Sequence, residues 1–177
     1  MRVIFLDFDG VLNPGKHAAR LHKLWKQGKA KSRDEYGQLF NEHCVFLAEV
    51  LVDTTEAKVV ISSTWRKRLS LEQLRDMFKV RGITIDIYDV TPSLNTIRGE
   101  EIECWLLEHD EVESYVIIDD NSDMLPEQKP HFIQCSSKTG LTLDLASKAC
   151  SVLFNGDSSA MLAKILGDCD YENTDEG

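Results

Sequence analysis

The chain has 177 residues, a formal net charge of −10 and five cysteines, with 42% of its residues hydrophobic and 28% charged. That length fits one ordinary globular domain, able to bury roughly two thirds of the surface its unfolded form exposes. Cys44, Cys104, Cys135, Cys150 and Cys169 are odd in number, scattered and without CxxC spacing, which argues for reduced thiols and against a disulfide framework or a zinc site. No apolar run approaches the ~18 residues of a membrane span and no leader pattern precedes the first strand, so a soluble cytoplasmic protein is expected.

The acidic balance argues against wholesale coating of nucleic acid, but its distribution is uneven. Residues Arg2 to Asp7 read as a buried strand that ends in Asp7-Phe8-Asp9-Gly10. Lys16, Arg20, Lys23, Lys26, Lys29, Lys31 and Arg33, with His17 and His22, then form a stretch without a single acid between Asp9 and Asp34. Residues 14–37 are expected to be a basic flap, a loop or short helical insertion. The spacing of Leu39, Phe40, Val45, Phe46, Leu47, Val50 and Leu51 predicts a helix over 39–51. Val59-Val60-Ile61 follows as a short strand ending in Ser62-Ser63-Thr64.

Ser70 and Gln73 form a capping-box pattern for the next helix, which Gly82 closes. Residues 83–90 alternate as a strand until Thr91-Pro92. A helix over 99–107 has Ile102, Trp105 and Leu106 on one side and an acidic first turn. Residues 115–118 are a buried strand running into Asp119-Asp120-Asn121-Ser122-Asp123, and 131–133 a last strand. Helices are expected near 143–153 and 159–166, then an acidic, disordered tail over 168–177. Short apolar strands alternating with helices imply one α/β domain over 1–167, with a mainly parallel sheet covered by helices on both faces.

Ligands bind beyond the carboxyl ends of the strands in such sheets. Three strand ends carry Asp7 and Asp9, Ser62 and Ser63, and Asp119 and Asp120. Side chains two apart on an extended chain lean the same way, and like charges held together call for a cation or a shared proton. Hydrolysis of a phosphate monoester would use all of these parts. Asp7 is the candidate nucleophile, and Asp9 the candidate acid and then base. Asp7 and Asp9 with Asp119, Asp120 and Asp123 are the candidate ligands of Mg2+, a hard ion that takes oxygen donors. Ser62, then Ser63, with Arg98 and Arg66, are candidate phosphate ligands. Each segment alone also fits an ordinary turn or helix cap.

The ordered set Asp7-Phe8-Asp9-Gly10-Val11, Ser62, Arg98 and Ile117-Ile118-Asp119-Asp120 resembles the four motifs of the haloacid dehalogenase superfamily over about residues 1–145. The resemblance implies a Rossmann-like core, an aspartyl-phosphate on Asp7, acid/base work by Asp9, phosphate binding by Ser62, and magnesium on Asp7 and Asp119, while the short span between the first motif and Val59 leaves room for only a small cap or flap. A second Asp in the first motif is similar to the phosphatases, not the dehalogenases. The run Ser62-Ser63-Thr64-Trp65-Arg66, Thr91-Pro92 and Arg98-Gly99-Glu100-Glu101-Ile102 further resembles the phosphatase-like domain of Swiss-army-knife RNA-repair proteins. A more distant likeness is to the phosphatase half of polynucleotide kinase-phosphatases. The third motif usually supplies Lys, where Arg98 stands here.

Nucleic-acid or nucleotide terminal phosphates, as in the processing of RNA or DNA ends, are therefore the expected substrate, with Lys16, Arg20, Lys23 and Lys26 as candidate contacts to the nucleic-acid backbone and Trp25 as a candidate for base stacking. The alternatives are a phosphatase of small sugar phosphates or nucleotides, a phosphoacceptor switch, and a non-catalytic nucleic-acid-binding module.

Overall fold

An apolar run without polar alternation has to be covered on both faces, and β1 (Arg2–Leu6) is. Val3 and Phe5 pack with Val60, Ile117, Ile102 and Trp105 on one face of the sheet. On the other, Ile4 and Leu6 join the larger core of Val59, Ile61, Val116, Ile118 and the helices that cover them. The protein is described by a computed structural model over residues 1–28, 40–154, 156 and 159–169.

Five strands form one sheet: β1, β2 (Lys58–Ile61), β3 (Ile87–Val90), β4 (Ser114–Asp119) and β5 (Phe132–Gln134). Their order is β3-β2-β1-β4-β5 and every neighbouring pair is parallel. The α/β reading with a parallel sheet therefore holds. The chain steps outward from β1 to β3, then crosses back to place β4 on the other side of β1. That reversal opens a crevice between the carboxyl ends of β1 and β4, where such sheets take their ligands.

Six helices accompany the sheet among the described residues: α1 (Gly15–Lys26), α2 (Glu42–Thr55), α3 (Leu71–Val80), α4 (Arg98–Leu107), α5 (Leu143–Leu153) and α6 (Ser159–Cys169). The larger core contains Leu47 and Leu51 of α2, Leu74 and Phe78 of α3, Ala146 and Ala149 of α5, and Met161 of α6. Ile102 and Trp105 of α4 cover the opposite face. The capping box is formed as expected, with Gln73 N donating to Ser70 Oγ over 3.2 Å and Ser70 N donating to Gln73 Oε1 over 2.9 Å. Gly82 adopts the left-handed conformation, φ 69°, that ends α3.

Several boundaries differ from the sequence reading. The strand expected over 83–90 is confined to Ile87–Val90, because Val59, one residue into β2, already pairs with Ile87 and leaves residues 83–86 beyond the sheet. Ile85 still points inward and is buried, which produces the alternation without a ladder. The second helix starts at Glu42 rather than Leu39, since the Asn41 side chain accepts from Cys44 N at 3.1 Å and caps it there. His131 closes a 3-10 turn, Pro126–His131, instead of opening β5. The last helix continues to Cys169, into the segment expected as tail. Of the basic flap, residues up to 28 are described and α1 accounts for 15–26, whereas Lys29, Lys31 and Arg33 lie outside the described residues, as do 170–177. No described helix is long and apolar enough to cross a membrane.

Candidate active site

The hydrogen bonds of the sheet run one residue past β1, β2, β3 and β5 and so fix where the polar side chains start. Asp7 N donates to Ile118 O over 3.1 Å, Ser62 N to Leu6 O over 3.1 Å, and Cys135 N to Asp119 O over 2.7 Å. The carboxylates of Asp7, Asp119 and Asp120 consequently converge, each offering an oxygen within 4.8 Å of the others. Asp7 and Asp119 are buried and Asp120 is half-buried.

Gly10 makes that convergence possible. Its φ of +81° favours glycine, and a Cβ there would stand 2.2 Å from Asp120 Oδ2. The loop folds back on itself, with Phe8 O accepting from Leu12 N and Asn13 N, each at 2.9 Å.

Arg98, the first residue of α4, reaches into the acidic group. Its Nη1 lies 2.8 Å from Asp7 Oδ1 and 2.5 Å from Asp119 Oδ2. Burial alone would lower its pKa, but the charges of Asp7 and Asp119 raise it above the ordinary arginine value. Asp119 is pushed up to about 7, by burial first and by the Asp7 charge second, against the opposing pull of Arg98. Burial and the Asp7 charge also raise Asp120. Three buried or half-buried carboxylates facing one guanidinium form an oxygen donor set short of positive charge, and this fits a hard divalent cation.

Asp9 and Asp123 stand outside that three-carboxylate group among the described residues. Asp9 is exposed at the same cleft, its Oδ1 accepting from Asn13 Nδ2 at 3.0 Å and its Oδ2 from Trp65 Nε1 at 2.8 Å. Asp123 serves α4. The residue before that helix is Ile97, which has no polar side chain to cap it, and Asp123 Oδ2 accepts from Arg98 N at 3.3 Å while Asp123 O accepts from Gly99 N at 3.1 Å. A Cβ on Gly99 would stand 2.6 Å from Leu125 N, so glycine lets the acidic loop lie against the helix that carries Arg98.

Ser62 and Ser63 are fully buried, and neither hydroxyl has a hydrogen-bond partner among the described residues. Unpartnered buried hydroxyls are uncommon and fit a site that completes its hydrogen bonds with a ligand or ordered water. They do not line the open cleft of about 400 Å³, which is lined by Thr64 from the same strand end, together with Asp7, Asp9, Arg98, Asp120 and Asn121.

Arg66 requires a correction. A guanidinium has five N–H donors, and each of those on Arg66 has an internal acceptor: Nε donates to Thr91 O (2.9 Å), Nη1 to Ser62 O and to Ser63 O (2.8 Å), and Nη2 to Pro92 O (3.2 Å) and to Glu101. With side-chain exposures of 2% for Arg66 and 4% for Glu101, the pair is a buried strut with no donor left for phosphate.

The candidate nucleic-acid contacts Lys16, Arg20, Lys23 and Lys26 are exposed on α1, and Gly15 and Ala18 of the same helix line the cleft. The side chain of Trp25 lies outside the described residues. The sequence assigns no role to Asn13, and none to Thr64, Trp65 and Glu101 beyond their place in the motif run. Trp65 and Thr64 adjoin Ser62 and Ser63 in the chain, and that adjacency was the available signal. Nothing local marks Glu101, which stands in the acidic first turn of α4 as if for the helix dipole alone.

A five-stranded parallel sheet in this order, covered by helices, has the Rossmann-like architecture of the haloacid dehalogenase superfamily. Within it, the family model described as the HAD domain in Swiss Army Knife RNA repair proteins matches residues 3–146, and the chain belongs to that family. No curated protein and no solved structure matches the chain.

Proposed function

We propose that the protein is a Mg2+-dependent phosphomonoesterase acting through a phospho-Asp7 intermediate on the terminal phosphates of RNA or DNA. The observation that carries the reading is the carboxylate group of Asp7, Asp119 and Asp120, joined by Arg98 at the crevice between β1 and β4. A carboxylate oxygen of Asp7 attacks phosphorus as the bond to the leaving oxygen breaks, and Asp9 gives that oxygen a proton. Water then attacks the acyl phosphate, Asp9 takes its proton, and Asp7 and inorganic phosphate are released.

Arg98 offsets the charge of Asp7 and Asp119 and orients Asp7. Asp7, Asp119 and Asp120 would hold Mg2+, which supplies charge neutralisation to the phosphoryl oxygens. Ser62 and Ser63 supply unpartnered hydroxyl donors at the carboxyl end of β2. The substrate class rests on the family's association with RNA repair and on α1, where Lys16, Arg20, Lys23 and Lys26 are exposed in a chain of net charge −10.

The test is a Mg2+-dependent phosphate-release screen across 5′-, 3′- and 2′-phosphorylated RNA and DNA ends, mononucleotides and sugar phosphates. Oligonucleotide ends are expected to be preferred, with a rate that falls steeply with salt. Salt-independent preference for a sugar phosphate would replace the substrate class. Undiminished turnover by Asp7→Asn would sink the mechanism.

A further inference from the structure

Asp7 and Asp9 leave the same loop, yet their carboxylates are held by different partners on different elements. Asp7 is drawn to Arg98 on α4. Asp9 receives one hydrogen bond on each oxygen, from Asn13 at 3.0 Å and from Trp65, 56 residues distant, at 2.8 Å. Neither donor can ionise.

An indole N–H generally finds an acceptor, but on a partly exposed ring water provides one. Trp65 is instead fixed so that its N–H meets Asp9. The ring stands edge-on to Phe8 with centroids 5.6 Å apart, and tilted against Phe40 at 6.0 Å. Phe8 lies between the two aspartates in the chain, so the contact locks the aromatic residue of the catalytic loop and the acid beside it together. Trp65 belongs to the 3-10 turn Thr64–Lys67, which follows directly on Ser62 and Ser63. The other donor, Asn13, is 8% exposed and is brought back to Asp9 by the same loop closure, with Gly10 N donating to Asn13 O over 3.0 Å.

We infer that Trp65 and Asn13 are positioning residues that hold the Asp9 carboxyl apart from the Asp7–Asp119–Asp120 group and aim it at the leaving oxygen. The inference rests on the reading of Asp9 as acid and base. A carboxylate offers about four acceptor positions, and the two hydrogen bonds leave a position on either oxygen for the proton it transfers. The two fixed donors remove the rotation that an exposed carboxylate would otherwise have. In the chemical step Asp7 forms the new O–P bond, the ester P–O bond breaks, and the proton on Asp9 passes to the departing oxygen, so charge and atoms balance without a further reactant.

The experiment compares two esters in single-turnover mixing with Mg2+: an alkyl or nucleoside monophosphate, whose leaving oxygen needs the proton, and p-nitrophenyl phosphate, whose leaving oxygen needs it little. In Trp65→Phe, phosphorylation of Asp7 is expected to slow about tenfold or more with the first ester and less than about threefold with the second, at unchanged KM. Asn13→Ala, which keeps the aromatic cluster whole, is expected to show the same split.

Equal slowing of both esters would reduce the contact to a structural one, and no slowing of either would overturn the proposal. A second readout needs no turnover. In the metal-free protein the Trp65 indole N–H resonance, identified by its absence in Trp65→Phe, is expected to shift in Asp9→Ala, and an unmoved resonance refutes the contact itself. Failure of the wild-type protein on both esters, or full activity of Asp7→Asn, refutes the phosphatase reading and with it the role given to Asp9.

Discussion

Replacing Arg66 by methionine tests whether the loops around the site are tied together by the buried pair. The substitution strands the Glu101 carboxylate, whose side chain is 4% exposed, and removes the donors that reach Ser62 O, Ser63 O, Thr91 O and Pro92 O. Breaking one partner out of a buried pair costs about 3–5 kcal/mol, mainly because the other charge stays behind. Glu101 keeps one contact, accepting from Leu94 N at 3.0 Å, which holds the expected loss toward the lower half of that range. With a urea slope of about 2 kcal/mol per M, 3–4 kcal/mol lowers the unfolding midpoint by about 1.5–2 M. In Arg66→Met with Glu101→Met no charge is stranded, so the double variant is expected to lose at least about 1.5 kcal/mol less than the sum of the single losses. The assay is urea unfolding followed by circular dichroism for the four proteins of the cycle. A loss under about 1 kcal/mol in Arg66→Met, or strict additivity, would refute the strut.

Asp119, with its pKa pushed up to about 7, keeps its proton in the folded chain over a range where the unfolded chain has lost it. Relative to Asp119→Asn, the metal-free wild type is therefore expected to lose stability as pH rises from about 4 to about 7, by at most about 1.4 kcal/mol per unit; a difference that grows in the other direction refutes the assignment. Inorganic phosphate titrated into the metal-free protein is expected to give no binding heat, because three carboxylates face one guanidinium where the anion must enter. Heat that appears without a divalent ion would show that Arg98 alone suffices. Lys16→Ala and Lys23→Ala should each lower the slope of log affinity against log salt for a single-stranded oligonucleotide by about 0.7, and an unchanged slope would remove α1 from the binding surface.

The strands and their acidic or hydroxyl ends were legible because apolar runs and turn residues are local signals, and the parallel order places those ends together without further information. The two arginines show where locality fails. As residue types Arg66 and Arg98 were alike, each a guanidinium suited to phosphate, and only the resemblance set Arg98 apart at the third motif. What separates them is the neighbourhood: Glu101 and four carbonyls surround Arg66, whereas Asp7 and Asp119 face Arg98. These contacts join residues up to 35 positions apart around Arg66 and 91 positions apart (98 − 7) between Arg98 and Asp7. The short β3 was misjudged for a related reason, since alternation reports burial and not whether a neighbouring strand extends far enough to pair.

The same distinction bears on the two aspartates of the first motif. A strand places Asp7 and Asp9 on one side by its period, and from that alone both would belong to one cation site. The turn at Gly10 changes this. Once φ reaches +81°, the chain leaves the strand direction, Asp120 occupies the space a side chain would have filled, and Asn13 returns to meet Asp9. Burial then favours a partner of opposite charge for Asp7, while the exposed Asp9 is held by neutral donors. The different partners separate the two carboxylates in space, and that separation is what a nucleophile and a proton donor acting on opposite ends of one P–O bond require.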